Sequence, residues 1–189
     1  MRIIAGTAKG IQLKSPPAEV RPPTDRIKEA IFSTLEPFEG LTVVDLFSGS
    51  GSVGLEALSR GASAVYMVEK LRRNAEVINQ NLNAVRKAIG QTAATAQIVV
   101  GDATKVGLIL KHVQPDIVMA DPPFFPKSDQ AGAVDLLRSK SFHTWLGEGL
   151  LELRQSIRHA PFPEGPPFWK ILRTKKYGES IVYYMQAIS

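Results

Sequence analysis

Four acidic residues could bind a ligand or take part in catalysis, because each lies at the end of a short apolar run. They are Asp45, Glu69, Asp102 and Asp121. The runs are rich in β-branched residues and typical of buried parallel strands. Because the carboxyl ends of parallel strands meet along one edge of a sheet, we expect the four carboxylates to line a common cleft. That edge is where ligands bind in open α/β sheets.

A turn of small residues, Ser48-Gly49-Ser50-Gly51-Ser52-Val53-Gly54, follows the first run and leads into a helical pattern. Glycines let a backbone approach a ligand closely because they carry no Cβ. With Glu69 downstream, this turn would also suit a dinucleotide enzyme of the Rossmann type, whose helix N-terminus holds a pyrophosphate. Asp45, however, would repel a second anion. It suits a cationic ligand, such as the amino group of a methionine moiety.

Carboxylates at the next two strand ends suit other parts of such a ligand. Glu69 can accept hydrogen bonds from two ribose hydroxyls, and Asp102 can accept one from an adenine amino group. The three groups together favour S-adenosylmethionine over NAD as the cofactor. The residues predicted to line the cofactor site are Asp45, Phe47, Ser48, Gly49, Ser50, Gly51, Glu69, Lys70, Asp102 and Ala103.

The stretch Asp121-Pro122-Pro123-Phe124 would place a reactive site beside this cofactor. An exocyclic amine of adenine or guanine is a poor nucleophile, because its lone pair is delocalised into the ring. The Asp121 side chain and the Pro122 carbonyl could both accept its hydrogens and aim that lone pair at a methyl sulfonium. The prolines fix φ, and Phe124 can stack on a base turned out of its helix. We predict methyl transfer driven mainly by orientation, with Asp121 carrying the proton away or passing it to water.

An α/β framework is predicted to hold these groups. Strands predicted over 42–46, 64–69, 98–102 and 116–121 alternate with helices, which is typical of a doubly wound, Rossmann-like sheet. Ahead of them, a helix capped by Thr24 or Asp25 is predicted to end near Gly40. Its predicted apolar stripe consists of Ile27, Ala30, Ile31, Thr34, Leu35 and Phe38.

The remaining patterns predict a seven-stranded mixed sheet with helices on both faces, in a single methyltransferase domain over 1–189. Residues 1–23 would form an N-terminal β-hairpin extension and linker, and residues 24–189 the catalytic α/β core. The smaller elements are a hairpin over 1–14, a helix with buried Leu71, Ala75, Ile78, Leu82 and Val85, a mobile connector over 86–95, helices over 106–110 and 131–138, a fifth strand over 149–153, a proline-rich loop over 161–167, and antiparallel strands over 168–173 and 181–185.

Composition limits the class of protein. The chain has 189 residues, no cysteine and no run of eighteen apolar residues, so we expect one cytoplasmic domain without disulfides, thiolate metal sites or membrane spans. Its net charge of +5 is concentrated at the ends, with six basic against two acidic residues in 1–28 and four against one in 169–189. Basic ends favour an anionic partner, although solubility alone would also explain them. Arg21, Arg26 and Lys28 fit either a solvated face or phosphate contact.

Together these motifs resemble the bacterial 16S ribosomal RNA guanine-N2 methyltransferase family, the small-subunit rRNA methyltransferase D type, also labelled DNA methylases. The Arg-Pro-Pro-Thr-Asp-Arg element is the specific part, since amino-methyltransferases share the other motifs. Phe124 stands where this family more often has tyrosine, and residues 140–168 match poorly. The resemblance rests on Arg2-Ile3-Ile4-Ala5-Gly6, Arg21-Pro22-Pro23-Thr24-Asp25-Arg26, Asp45-Leu46-Phe47-Ser48-Gly49-Ser50-Gly51, Glu69, Gly101-Asp102, Asp121-Pro122-Pro123-Phe124 and Lys176-Tyr177-Gly178.

This resemblance implies an S-adenosylmethionine-dependent methyltransferase acting on guanine N2 in 16S ribosomal RNA or the assembling small ribosomal subunit, and we expect a monomer without a metal. Three alternatives stay open: an adenine-N6 methyltransferase on DNA or RNA, a nicotinamide dehydrogenase, and a non-catalytic RNA-binding or assembly protein that has kept the fold. The implied catalytic residues are Asp121, Pro122, Pro123 and Phe124. The residues implied to bind RNA are Arg2, Lys9, Arg21, Thr24, Arg26, Lys175 and Lys176.

Overall fold

One mixed sheet organises the molecule, which is described here from a computed structural model covering residues 1–16, 24–90, 93–124, 126, 132–159 and 168–188. Its strands are β1 Thr42–Leu46, β2 Ala64–Glu69, β3 Thr95–Val100, β4 Ile117–Ala120, β5 Leu150–Ser156, β6 Trp169–Tyr177 and β7 Ser180–Ala187. Their spatial order is β3-β2-β1-β4-β5-β7-β6. Strands β1–β5 pair in parallel, and β7 runs antiparallel to both β5 and β6. The predicted seven-stranded mixed sheet with an antiparallel edge is confirmed.

Helices cover both faces of the sheet. They are α1 Asp25–Leu35, α2 Ser52–Ser59, α3 Arg72–Ile89, α4 Val106–Ile109, α5 Ala133–Arg138 and α6 Lys140–Leu146. The first three pack with strand residues such as Val43 and Val65, and the last three with residues such as Val44 and Val118. Because side chains alternate along a strand, each face supplies one of the two hydrophobic clusters.

Helix α1 begins where predicted and ends early. The Thr24 hydroxyl accepts a hydrogen bond from the Ile27 backbone N–H at 3.4 Å, which caps the first turn. The helix ends at Leu35, because a residue that precedes proline, here Glu36, avoids the helical region. The prediction of an end near Gly40 is therefore wrong.

The buried side of α1 is rotated by about one residue from the predicted stripe. Its buried residues are Lys28, Ile31 and Phe32, whereas Ile27 and Ala30 are only partly buried. A lysine is buried on this side of α1 because its acidic partner lies on α2, as described below. The expectation that Lys28 lies on the outer side is wrong.

Residues 1–14 form the N-terminal segment, which folds back on itself and docks on α2 and α3. A single antiparallel bridge joins Arg2 to Gln12, as expected for a hairpin outside the main sheet. The Asn81 side chain of α3 accepts from the Lys14 backbone N–H at 2.8 Å and donates to the Lys14 carbonyl at 3.0 Å. The segment is thus fastened to the side of the sheet that carries α1, α2 and α3.

Several predicted boundaries need correction. Residues 86–95 are not all connector, because α3 continues to Ile89 and β3 already begins at Thr95. Strand β5 runs on to Ser156, three residues past its predicted end, although its last residues are polar. Helix α6 was not predicted, and the start predicted for α5 at Ala131 and the proline-rich loop over 161–167 lie outside the described residues.

Candidate active site

The glycine turn after β1 is held by hydrogen bonds from Ser48 to β1 and β2. The Ser48 hydroxyl donates to the Asp45 carbonyl at 2.7 Å, and the Ser48 N–H donates to the Val68 carbonyl at 3.1 Å. Gly49 and Gly51 have φ of 56° and 76°, a region that favours glycine. A Cβ on Gly49 would meet nothing closer than 3.9 Å, so the turn leaves open space beside it.

Gly54, the third glycine of the motif, serves packing instead. A Cβ there would lie 2.6 Å from Met67 Cγ and 3.2 Å from Asp45 Oδ2. Its absence lets α2 approach β1 and β2 closely. The close approach also places the Gly54 N–H 2.9 Å from Asp45 Oδ2, to which it donates.

Asp45 is buried, with only 3% of the residue exposed. Burial raises the pKa of its carboxyl to about 7, although the bonds from Gly54 and Ser48 act in the opposite direction. A carboxyl that titrates near neutrality is easily ionised by a neighbouring cation. Asp45 is therefore suited to receive a positively charged ligand group at the end of β1.

Glu69 ties the glycine turn to the loop after β2. Its Oε2 accepts from the Gly49 N–H and its Oε1 from the Leu71 N–H, both at 2.8 Å. A carboxylate has about four acceptor positions, so each oxygen keeps room for a further donor. The side chain is thus fixed in place before any ligand arrives.

Asp102 begins the short 3-10 helix Ala103–Lys105 at the end of β3. Its Oδ1 accepts from the backbone N–H of Thr104 at 3.0 Å and from the Thr104 hydroxyl at 2.7 Å, while Oδ2 lies 3.9 Å from Lys70 Nζ. Burial acts to raise the pKa of Asp102, but the Thr104 bonds and the charges of Lys70 and Lys105 outweigh it and lower the pKa. The carboxylate is ionised and partly exposed.

Asp121 follows β4 and is paired with Arg154 of β5. Arg154 Nε donates to Asp121 Oδ1 at 2.8 Å, and Arg154 Nη2 donates to Asp121 Oδ2. The guanidinium carbon also lies 5.0 Å from the centre of the Phe124 ring. Burial raises the pKa of Asp121, and Arg154 counteracts part of that rise. Both predicted side chains of this motif therefore meet the same arginine.

Glu152, two residues before Arg154 on the same strand, is also turned towards this site. It is 3% exposed, and its Oε1 has no hydrogen-bond partner among the described residues. Burial raises its pKa well above the ordinary value, helped by Asp121 and Asp45 and opposed by Arg154. A buried, unpaired carboxyl oxygen is costly and marks a place where a ligand or water could bind.

These groups line a pocket between α1 and the carboxyl ends of β1, β4 and β5. Charged residues of its wall include Lys28, Asp45, Asp121, Glu152 and Arg154. The structure thus brings Asp45 and Asp121 together, as predicted, whereas Glu69 and Asp102 lie along the same edge but outside this pocket. Sequence reasoning missed Arg154 and Glu152 as site residues. Their one sequence signal was the alternation of charges at two-residue spacing in a strand expected to be apolar.

Lys28 and Glu56 form a buried ion pair beside the pocket. Lys28 Nζ lies 3.1 Å from Glu56 Oε2 and donates to the Arg2 carbonyl at 2.7 Å. Glu56 further accepts from the backbone N–H groups of Ile4 and Ala5, at 2.8 and 2.9 Å. Burial lowers the pKa of Lys28, although Glu56 acts to raise it. The ammonium of Lys28 therefore makes its contacts within the fold, and phosphate contact by this residue is not supported.

The residues predicted to bind RNA are placed unevenly. Lys9, Arg26 and Lys176 are exposed, whereas Lys175 donates to the Thr34 hydroxyl of α1 at 2.8 Å. Arg2 Nε lies 3.4 Å from Asp25 Oδ2 in an exposed pair, Thr24 caps α1, and Arg21 lies outside the described residues. Lys176 pairs with Ile181 near the turn that joins β6 to β7, and that turn lies beside the carboxyl end of β5.

Two kinds of feature were not found among the described residues. None of their helices is both long and apolar enough to cross a bilayer. Their histidine, aspartate and glutamate side chains form no group of three or more that could hold a metal ion.

A family model described as Conserved hypothetical protein 95 matches residues 1–186. The chain belongs to this family. Ribosomal RNA small subunit methyltransferase D of Escherichia coli (strain K12) is 32% identical over 181 residues, which are 95% of this chain and 86% of that protein. The protein of the same name from Haemophilus influenzae is 33% identical over 183 residues, covering 94% and 89% of the two chains.

Solved structures share the fold of this chain. Escherichia coli yhhF superposes with a TM-score of 0.77 at 27% identity, over 100% of this chain and 98% of that one. The structure of SMU.776 complexed with SAH has a TM-score of 0.64 at 17% identity, and the match covers 86% of this chain and 48% of that one. At this identity it shows the fold alone. The predicted family, the class I S-adenosylmethionine-dependent methyltransferase fold and the methyltransferase enzyme class are confirmed.

Proposed function

We propose that this protein transfers a methyl group from S-adenosylmethionine to the exocyclic N2 amine of a guanine in small-subunit ribosomal RNA. The observation that carries the proposal is the position of Asp121. It stands at the carboxyl end of β4, beside the glycine turn of β1, with Pro122 and Phe124 following it. The curated relatives named ribosomal RNA small subunit methyltransferase D support the choice of RNA.

The hydrogen-bond acceptors along the carboxyl edge fit the proposed cofactor. Asp45 would receive its amino group, Glu69 its ribose hydroxyls, and Asp102 its adenine amine. The open side of Gly49 leaves room for close approach. Phe47, Ser48, Ser50, Gly51, Lys70 and Ala103 would complete the wall. When bound, the cofactor supplies an electrophilic methyl group on a sulfonium.

Asp121 and the Pro122 carbonyl would orient the amine. Arg154 occupies one position on each Asp121 oxygen, which leaves further lone pairs to accept an N–H of the base. Pro122 and Pro123 have no backbone N–H to compete for these oxygens. The base amine would take the methyl group from the sulfonium as that sulfur–carbon bond breaks, and Asp121 would take up the proton that the nitrogen loses or pass it to water. Phe124 would stack on the base.

The RNA backbone would be held by exposed basic residues of the N-terminal segment, of α1 and of β6. Lys9, Arg26 and Lys176 are exposed, and Arg2 and Thr24 belong to the predicted RNA-binding set, as does Arg21, which lies outside the described residues. Lys175 is better explained by its bond to Thr34. Each phosphate contact that is lost should weaken binding and reduce its salt dependence. The particle bound would be 16S ribosomal RNA or the assembling small subunit, met by a cytoplasmic monomer.

A second candidate is methylation of adenine N6, because the same acceptors could orient that amine. Nucleoside analysis separates the two. Tritiated S-adenosylmethionine is incubated with small ribosomal particles lacking the modification, with naked RNA and duplex DNA in parallel. We expect N2-methylguanosine from the wild-type protein, its loss in Asp121→Ala, and normal activity in the exposed control Glu148→Ala.

Four other outcomes count against the proposal, the last two from binding measurements on the same protein. N6-methyladenine would overturn the substrate. Equal activity of Asp121→Ala would overturn the role of its carboxylate. A protein that binds RNA without the cofactor would favour an assembly role, and binding of NAD in its place would favour a dehydrogenase.

A further inference from the structure

Arg154 contacts two groups that the proposed reaction needs. Its guanidinium forms a two-pronged hydrogen-bonded pair with Asp121 and lies over the face of the Phe124 ring. Arginine suits both contacts, because its planar fork matches a carboxylate and its flat cation stacks on an aromatic ring. One side chain thereby sets the relative position of the acceptor carboxylate and the stacking ring.

The guanidinium is itself held rigidly. Residue Arg154 is 7% exposed in β5, the strand next to β4, and its Nη1 lies 3.5 Å from the Ser180 hydroxyl of β7. Asp121 comes one position after Ala120, which pairs with Leu153, so the register places Asp121 beside Arg154. The sheet thus fixes the position of Arg154, and Arg154 in turn fixes the position of Asp121, which lies just beyond the end of β4.

No other described cation is available to replace it at Asp121. Lys28 lines the same pocket, but its ammonium is bonded to Glu56 and to the Arg2 carbonyl. The remaining titratable groups that face Asp121 are the carboxyls of Asp45 on β1 and Glu152 on β5. Without Arg154, the described groups that face Asp121 would therefore be other acids and Lys28, whose ammonium is already bonded to Glu56 and Arg2.

We infer that Arg154 is a positioning residue for methyl transfer, which holds the Asp121 carboxylate in line with the Phe124 ring. This inference rests on the proposed function and deepens it. The arginine acts through Asp121 and Phe124, so its loss should lower kcat while the cofactor still binds. A displaced catalytic group commonly costs about 10²-fold in rate.

The test compares Arg154→Ala, Arg154→Lys and the control Arg158→Ala. Arg158 is also an arginine paired with a carboxylate, Glu179, but that pair is exposed. We expect kcat to fall about 10²-fold in Arg154→Ala and less in Arg154→Lys, with binding of S-adenosylhomocysteine close to wild type. Because Arg154→Ala leaves Asp121 without its buried partner, its thermal midpoint should fall, and all rates are compared below that midpoint. Added guanidinium should restore at least about tenfold of the Arg154→Ala rate and leave Arg154→Lys unchanged.

A second readout does not depend on catalysis. The ¹³C carboxyl resonance of Asp121, assigned with Asp121→Asn, should report a pKa at least about one unit higher in Arg154→Ala than in the wild type. Asp45 and Glu152 also titrate in this pocket, so the same titration is repeated in Asp45→Asn and Glu152→Gln. A shift that persists in both backgrounds belongs to Asp121.

Three results would overturn the inference. The first is a kcat of Arg154→Ala within about threefold of wild type, and the second is an unchanged Asp121 titration. The third is a loss of rate that guanidinium does not restore, together with weaker cofactor binding, which would assign Arg154 to folding alone. If the wild-type protein makes no methylated base but the Asp121 titration shifts as expected, the proposed function fails while the pairing stands.

Discussion

Asp45 and Glu152 lie in the same row of the sheet, on either side of Met119. Met119 of β4 pairs with Asp45 of β1 and with Glu152 of β5, so both carboxyls project to the same face. Both residues are 3% exposed. Ionising either carboxyl makes ionising the other harder, and the state of this row therefore depends on pH and on any cation that enters the pocket.

The first prediction concerns Asp45 and the pH dependence of stability. Its pKa is raised from 3.8 to about 7 on folding, so between these values the native state holds a proton that the unfolded state has released. Stability from this residue is therefore fully present below about pH 4 and falls as pH rises towards 7, by about 4 kcal/mol in all. Denaturant unfolding of wild type and Asp45→Asn from pH 4 to 8 measures the difference. A difference that is flat with pH would contradict it.

The same residue should make cofactor affinity depend on pH. Because the ligand's amino group favours ionised Asp45, S-adenosylhomocysteine should bind more tightly as pH rises towards about 7, by up to about tenfold per unit. Calorimetry at several pH values tests this. Asp45→Asn should bind weakly with little dependence on pH, and an unchanged pH dependence in this variant would assign the effect elsewhere.

Glu152→Gln should stabilise the free protein at high pH. The raised pKa means that deprotonation is opposed in the folded state, so the wild type loses stability above the ordinary glutamate pKa. The variant keeps the shape of the side chain without its charge, and we expect a gain of about 1–3 kcal/mol at pH 8 that shrinks towards pH 4.5. The free energy of unfolding at the two pH values decides the matter. A less stable variant at pH 8 would mean that the carboxylate has a stabilising partner.

Substitutions at the buried ion pair should rank in a definite order. Glu56→Gln leaves Lys28 and Arg60 without their buried counter-charge and should cost about 3–5 kcal/mol. Lys28→Met removes one of several donors and should cost less, because Glu56 keeps Arg60 and two backbone N–H groups. Urea unfolding of both variants gives the comparison. A larger cost for Lys28→Met would reverse the argument.

Two glycines of the N-terminal segment offer a matched pair. Both have positive φ, but a Cβ on Gly6 would lie 1.8 Å from the Ser59 carbonyl oxygen, whereas one on Gly10 would have nothing within 4 Å. Gly10→Ala should cost only the backbone term of about 1 kcal/mol, and Gly6→Ala about 3 kcal/mol or more. Hydrogen exchange of the Ile4 and Ala5 amides should accelerate in Gly6→Ala alone. Equal exchange in both variants would show that the segment does not need this close approach.

Sequence patterns predicted the parts of the site that depend only on residues close together in the chain. Strands β1 and β2 were predicted with their observed bounds, because each is a continuous apolar run that ends at an acid and a turn. Arg154 and Glu152 could not be placed this way. Their charges suggest a surface, yet Arg154 is buried with a partner, Asp121, that lies 33 positions earlier in the chain, and Glu152 is buried with an oxygen that has no partner among the described residues. Lys28 was misplaced for the same reason, since Glu56 is far from it in the chain.

The attachment of the N-terminal segment also orders events during synthesis. A nascent chain emerges from its amino end, so Ile4 and Ala5 are made long before Glu56, and Lys14 before Asn81. Contacts between such distant positions form slowly, because a long loop must close first. The segment therefore stays undocked until the first βα unit and α3 exist. A docked N-terminal segment therefore indicates that the first βα unit and α3 have already formed.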